Sequence, residues 1–366
     1  ARNFIGWDPS GTTVAADHGS NDDPAELATG QRVRIASGPM AGEVFEYLGA
    51  TLTDGDPHVE GVQPIDLSTQ NYQDQTVWRP ASLAVSPAEI QAKILDASIH
   101  ASGTLTLDAA AGQSIDAIVL AGAVALSGGG TTGVGVSGGG VYTENRIKTL
   151  VRSSLDGDGT EGILAHSLTL TARDTSTINA LAGAASLAAS LGGTVGVSIA
   201  IGASVARNEI RNVVESFIVN ADTGVTSTED AISLEALEDA TIHAAAVAAS
   251  LAAAFSAGLS IGLSGAGASA LNVINNTVQA YIADSTVTAE SGDVIVQAWS
   301  SASITALVGA ASGAVSGGIA AAAGAMGVSI ARNLVGRNAV DDATGLRNQV
   351  LAYVENSTGV SEGDVW

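Results

Sequence analysis

Side chains able to do chemistry are few in this chain, and they are scattered. Its five histidines, His18, His58, His100, His166 and His243, stand singly along 366 residues. A metal site or a Ser-His-Asp triad needs such residues drawn together with carboxylates or a nucleophile. Cysteine is absent, which removes thiolate nucleophiles, thiolate metal ligands and disulfides. Oxygen ligands of the kind that hold calcium gather at Asn21-Asp22-Asp23, at Asp54-Gly55-Asp56-Pro57-His58 and at Asp156-Gly157-Asp158-Gly159. The last lacks the following Asp/Asn-Gly and the twelfth-position glutamate of a calcium loop, so it reads as a turn. The other two read as solvated loops, with calcium the one cofactor they would admit. No Asp/Glu pair recurs or stands in an aromatic-lined segment, as glycoside hydrolysis would want.

One polar residue does recur. Asn3, Asn145, Asn208, Asn272 and Asn333 sit in related contexts, the last four 63, 64 and 61 residues apart. Asn tolerates unusual turns, and its amide can bond to an identical amide stacked above it. These five are therefore expected to form a structural ladder, provided the segments that carry them stack.

The surrounding sequence shows that they do recur as units. The tripeptide Ile-x-Ala appears at Ile115, Ile178, Ile242 and Ile304, spaced by 63, 64 and 62 residues. His243 occupies the x position, where the other units carry Asp116, Asn179 and Thr305, so a polar face accounts for it without a ligand. Six residues before each Ile an Ala closes a short run, as in Leu105-Thr106-Leu107-Asp108-Ala109 and Leu168-Thr169-Leu170-Thr171-Ala172. Three of these four runs alternate apolar with polar, the pattern of a strand with one face buried. A further signature, Val278-Gln279-Ala280-Tyr281-Ile282-Ala283-Asp284-Ser285, returns at Val350–Ser357 and more weakly at Ile90–Ser98.

The fold class that follows is all-β, an elongated repeat architecture of about 62-residue units, built either as a β-solenoid or as stacked long β-hairpins. The units divide as 89–150, 151–213, 214–276 and 277–336. Residues 1–6 end a preceding unit, 7–88 form an inserted small β module, and 337–366 begin the next unit with a short insertion near 338–347. Because the chain opens inside a unit and Ala1 starts no signal peptide, the natural protein is expected to continue in both directions.

Between Ile-x-Ala and the Asn lie Ala/Gly/Ser-rich stretches with paired glycines, such as Gly192-Gly193, at a hairpin-like turn. They are expected to be two long strands covered on both faces, since both faces carry apolar or tiny residues. Ser, Thr, paired Gly and the lack of basic flanks argue against a membrane span. The module pairs Gln31–Ile35 with Glu43–Leu48 through a turn at Ser37–Gly42. It also holds Trp7, Phe45, Tyr47, Tyr72 and Trp78. As a conventional domain it would bury these rings; as a binding module it would turn Trp7, Tyr47, Tyr72 or Trp78 toward a ligand such as a cell-surface polysaccharide.

Composition narrows the partners. Fourteen Lys and Arg against 37 Asp and Glu leave a net charge of −23, which repels nucleic acid and anionic lipid alike. With 46% hydrophobic but only 4% aromatic residues, any buried layer must be thin and close-packed.

The run Ala1-Arg2-Asn3-Phe4-Ile5-Gly6-Trp7, the module from Thr29 to Gly49, and Ile65-Asp66-Leu67-Ser68 before Tyr72 and Trp78 resemble the repeat regions of giant bacterial surface proteins of the adhesin or haemagglutinin-like kind. The Gly-Gly-x-Gly-x-Asp calcium repeats common in such proteins are absent. The resemblance implies a secreted or cell-surface location, a structural or adhesive role and no catalytic residues. A non-enzymatic fibre or stalk is expected, self-associating through its repeats or strand edges. A polysaccharide-active β-helix enzyme is the competing reading.

Overall fold

The computed structural model describes residues 1–6, 16–36, 44–53, 65–70, 72, 77–80, 87–336 and 348–365. Trp7, the Asp54–His58 segment, the Ser37–Gly42 turn and the insertion near 338–347 lie outside the described residues. By contact the chain divides into two compact units: residues 1–3, 89–338 and 346–366 form one, and residues 4–88 with 339–345 form the other.

The larger unit is a parallel β-solenoid. One coil reads as five strands in order, for example Thr149–Asp156, Ile163–Ala165, Ser167–Asp174, Thr177–Gly192 and Val195–Ile210. Each strand hydrogen-bonds in parallel to its counterpart in the neighbouring coils, giving five sheets that run along the stack. Register is locked residue to residue: Ile115 pairs with Ile178, Ile178 with Ile242 and Ile242 with Ile304. The repeat read from the sequence is thus the length of one coil.

Three short sheets enclose a single aliphatic core. Val151, Leu155, Ile163, Leu168 and Leu170 face inward in one coil, and Val214, Ile218, Val225, Ile232 and Leu234 replace them in the next. A sharp corner follows the first strand of every coil. Asp96, Asn220, Asp284 and Asn356 hold it in the left-handed region with φ between 45° and 56°, and Gly157 takes the same place at φ 76°. Only Gly, Asn and Asp visit that region cheaply, which is why the corner accepts nothing else here.

The two long strands of each coil are not a β-hairpin. They double back at the paired glycines, but their backbone groups pair with adjacent coils and the two sheets meet face to face. This arm is a fin two sheets thick. Its interior is mainly Ala, Gly and Ser: Ala182, Ala184, Ala206, Ala246 and Ala248 are buried in it beside Val141. Ser186 Oγ donates to the Ser137 carbonyl at 3.0 Å, and Ser204 Oγ to that of Ala182 at 2.8 Å. The sheets approach so closely that a Cβ built at Gly202 would stand 2.7 Å from the Ala249 carbonyl oxygen, and one at Gly135 would stand 2.7 Å from that of Ala189.

The expectation that both faces of these strands are covered is corrected. The inner face is buried, but the outer face carries the larger aliphatics into solvent, with Leu120 69% and Leu126 75% exposed. Small residues won the interior because only they let the two backbones approach so closely.

The smaller unit is built differently. Arg32–Arg34 pairs antiparallel with Val44–Tyr47, which pairs with Trp78–Pro80, while Glu26–Leu27 pairs with Leu52–Thr53. Leu27, Val33, Phe45, Leu67, Tyr72 and Trp78 fill its core. Among the described residues no helix is long and apolar enough to cross a membrane.

Candidate functional site

The five asparagines singled out by spacing lie one above another. Asn3 Nδ2 donates to Asn145 Oδ1 at 2.7 Å, Asn145 to Asn208 at 2.8 Å, Asn208 to Asn272 at 2.8 Å and Asn272 to Asn333 at 2.9 Å. Asn145, Asn208 and Asn272 are fully buried. The parallel ladder repeats each amide at the strand spacing, so every carboxamide accepts on one side and donates on the other, and the chain of bonds polarises cooperatively.

A second ladder, four residues farther on, was not evident from spacing alone. Asn212, Asn276 and Asn348 each accept the backbone N–H of the preceding coil, from Thr149 at 3.0 Å, Asn212 at 2.8 Å and Asn276 at 2.6 Å. Their amides then reach buried carboxylates: Asn212 Nδ2 donates to Asp174 at 2.5 Å and Asn276 Nδ2 to Glu238 at 2.6 Å. Asp174 also accepts from Ser176 Oγ at 2.6 Å and Thr149 Oγ1 at 3.1 Å, and Glu238 from the Ala240 N–H at 2.7 Å and Ser300 Oγ at 2.5 Å. The two acids are cross-strand partners in adjacent coils. Burial pushes both carboxyls above their ordinary values, while the surrounding donors pull back. The visible signal was only the fixed step from Asn208 to Asn212 and from Asn272 to Asn276.

Charged pairs also align along the stack. Glu144 meets Arg2 at 3.2 Å and contacts Arg146, while Glu209 meets Arg146 at 3.5 Å and contacts Arg211. Burial works against the charge on both Arg146 and Glu209. Their neighbours overcome it, holding the guanidinium above and the carboxyl below its ordinary value. Elsewhere Phe217, Tyr281 and Tyr353 stack with ring centroids 5.0 and 5.1 Å apart, and Arg152 lies 5.5 Å over Phe217 while its Nε donates to Glu215 at 2.9 Å. Each is a column of like positions satisfied by the coil above or below.

The proposed ligand-facing aromatics are corrected where they are described. Tyr47, Tyr72 and Trp78 are 4%, 6% and 1% exposed, and they pack on one another with centroids 4.6 to 5.1 Å apart. Their polar tips are spent inside the unit, Tyr72 Oη on the Leu67 carbonyl at 2.7 Å and Tyr47 Oη on that of Ala50 at 3.0 Å. A unit this small has little else with which to build a core, and three rings bury the most area per residue.

Of the calcium-like loops, those among the described residues make bonds within their own unit. Asp156 accepts from Asn220 at 2.7 Å and Asp158 from the Gly224 N–H at 2.5 Å, which is how a turn joins two coils. Asp22 accepts from the Gly19 N–H at 2.6 Å. His166 lies 3.5 Å from Glu229, and His243 projects from the outer face of the fin. Among the described residues no three His, Asp or Glu converge on a metal-sized site. No family model, curated protein or solved structure matches this chain.

Proposed function

We propose that this chain is a structural segment of a large repetitive extracellular or cell-surface protein, a fibre or stalk that spaces inserted modules and supports adhesion, without enzymatic activity. The observation that carries this reading is the pair of asparagine ladders running unbroken from coil to coil. Their geometry serves the stack itself: each amide is satisfied only by another coil, so stability accumulates with the number of coils. The laddered asparagine amides spend their hydrogen-bonding capacity on neighbouring coils, whereas a catalytic or ligand site holds some of it free toward a cleft. A bacterial adhesin-like setting rests on the resemblance of the repeat and module sequences. Recognition of polysaccharide through Tyr47, Tyr72 or Trp78 is not favoured, because these rings are packed inside their unit.

Cryo-electron microscopy of the full-length natural material tests the proposal. Rods or filaments with an axial step of about 4.8 Å per coil are expected. Discrete globular particles without that periodicity would overturn it.

A further inference from the structure

The fin presents two apolar outer faces; the opposite one exposes Val134, Val136, Ile201 and Leu263, and the one formed by Ser114–Gly129, Thr177–Gly192, Thr241–Ser256 and Ser303–Gly317 carries a groove. Beyond a polar base, where Asn179 donates to Asp116 at 2.7 Å, every outward position is Gly, Ala, Val, Ile, Leu or Phe. No Asp, Glu, Lys or Arg occurs in residues 117–143, 175–206, 240–283 or 294–331, so ionised side chains reach the fin only at its base, as Asp116 and Glu144 do. The face is ridged as well as apolar. A groove of ≈ 330 Å³ crosses all four coils over Ala185, Ala249 and Ala311, bordered by Val124, Leu187 and Leu251.

Size decides whether such a face can stand free. Four strands about 4.8 Å apart, each presenting about twelve residues at about 3.3 Å, span about 750 Å². That exceeds the largest apolar patch of most monomers, about 300–600 Å². It also matches the roughly 800 Å² per partner of a stable protein interface.

We propose that this face docks against the same face of a second copy of the chain, fin on fin, in an isologous contact. Three features select that occupant. A second solenoid repeats its ridges at the same strand spacing, so ridge and groove stay in step over every coil, as sheets do in dry face-to-face packing. An apolar centre with a polar rim of Ser, Thr, Asn and His at the fin base is the anatomy of a protein interface. The fins reach about 40 Å from the acidic bodies, several times the roughly 8 Å over which charge acts at physiological salt, so two copies meet without repulsion. A lipid surface is the poorer fit, since the strongly acidic chain carries no basic flank to attract headgroups.

This contact is lateral and stands apart from axial growth through strand edges, so the two readings fail separately. Sedimentation of the purified chain over a concentration series is the test, with the double variant Val247→Glu/Leu251→Glu as its control. Both residues are exposed, at 41% and 45%, so the fold should persist, as circular dichroism and the urea midpoint would show. The wild type should self-associate, and the double variant should do so at least about tenfold more weakly, because two carboxylates would be desolvated without partners. With no native cysteine, Ala249→Cys supplies the only thiol and should give disulfide-linked dimers on mild oxidation, whereas Glu229→Cys, on the surface of the body, should not. The proposal is overturned if the wild type stays monomeric, if association survives Val247→Glu/Leu251→Glu while Ala249→Cys fails to cross-link, or if a monomeric chain instead floats with neutral phosphatidylcholine vesicles.

Discussion

Body and fin of the solenoid share one backbone plan and opposite side-chain plans. In the body, Leu170 and Leu234 are fully buried and the outward positions are largely polar. In the fin, Ala182, Ala246 and Ser198 are fully buried while Leu126 and Leu307 stand out in solvent. Both keep the same parallel register, residue for residue. The ladder of backbone hydrogen bonds is therefore indifferent to which side chains point inward. Enclosed thickness sets their size: three sheets around a volume demand aliphatics, and two sheets pressed together take mostly Ala, Gly and Ser, with Val141 among them.

That contrast can be broken from either side. Leu234→Ala, in the body core between Leu170 and Val296 of the neighbouring coils, should cost about 2–5 kcal/mol in urea unfolding. Asn208→Ala, where body and fin join, would strand the Asn145 donor and the Asn272 acceptor. It should cost about 2–6 kcal/mol at about 1–3 kcal/mol for each orphaned group, and it should accelerate hydrogen exchange of the flanking amides.

Within the fin the size rule should invert. Gly202→Val, which drives a side chain into the Ala249 carbonyl, should cost about 1–3 kcal/mol or more. Truncating the outward Leu251 to Ala should change monomer stability by less than about 0.5 kcal/mol. Equal costs for these two variants would erase the distinction between the faces.

The smallest expected effect lies in pH dependence. Asp174 and Glu238 are held above their ordinary values of 3.8 and 4.5, so the folded chain binds their protons more tightly than the unfolded chain does. The stability they contribute is fully present below those ordinary values and is lost as pH rises through the raised ones. Between pH 4 and pH 7, Asp174→Asn/Glu238→Gln should therefore lose less stability than the wild type in parallel urea titrations. An unchanged slope would mean that donors from Ser176, Asn212 and Asn276 outweigh burial.

Coil length and the first ladder were legible in advance because a parallel stack must place equivalent residues over one another. A recurring Ile115, Ile178, Ile242, Ile304 or a recurring Asn is then already a contact. A strand with one buried face was equally implied by alternation such as Leu168-Thr169-Leu170. The choice between hairpin and solenoid was not, since Gly192-Gly193 reverses the chain in either case and only the partner strands distinguish them. Nor could pattern say which face of Thr177–Gly192 is inside: alternation announces two unlike faces, and the usual preference for burying the larger side chain points the wrong way. The contact of Asn212 with Asp174, 38 residues distant, required a corner where two sheets meet. Burial of Tyr47, Tyr72 and Trp78 likewise came from a packing choice that no periodicity encodes. Period fixes what repeats along the axis, whereas what lies across the axis is decided by how closely the sheets approach.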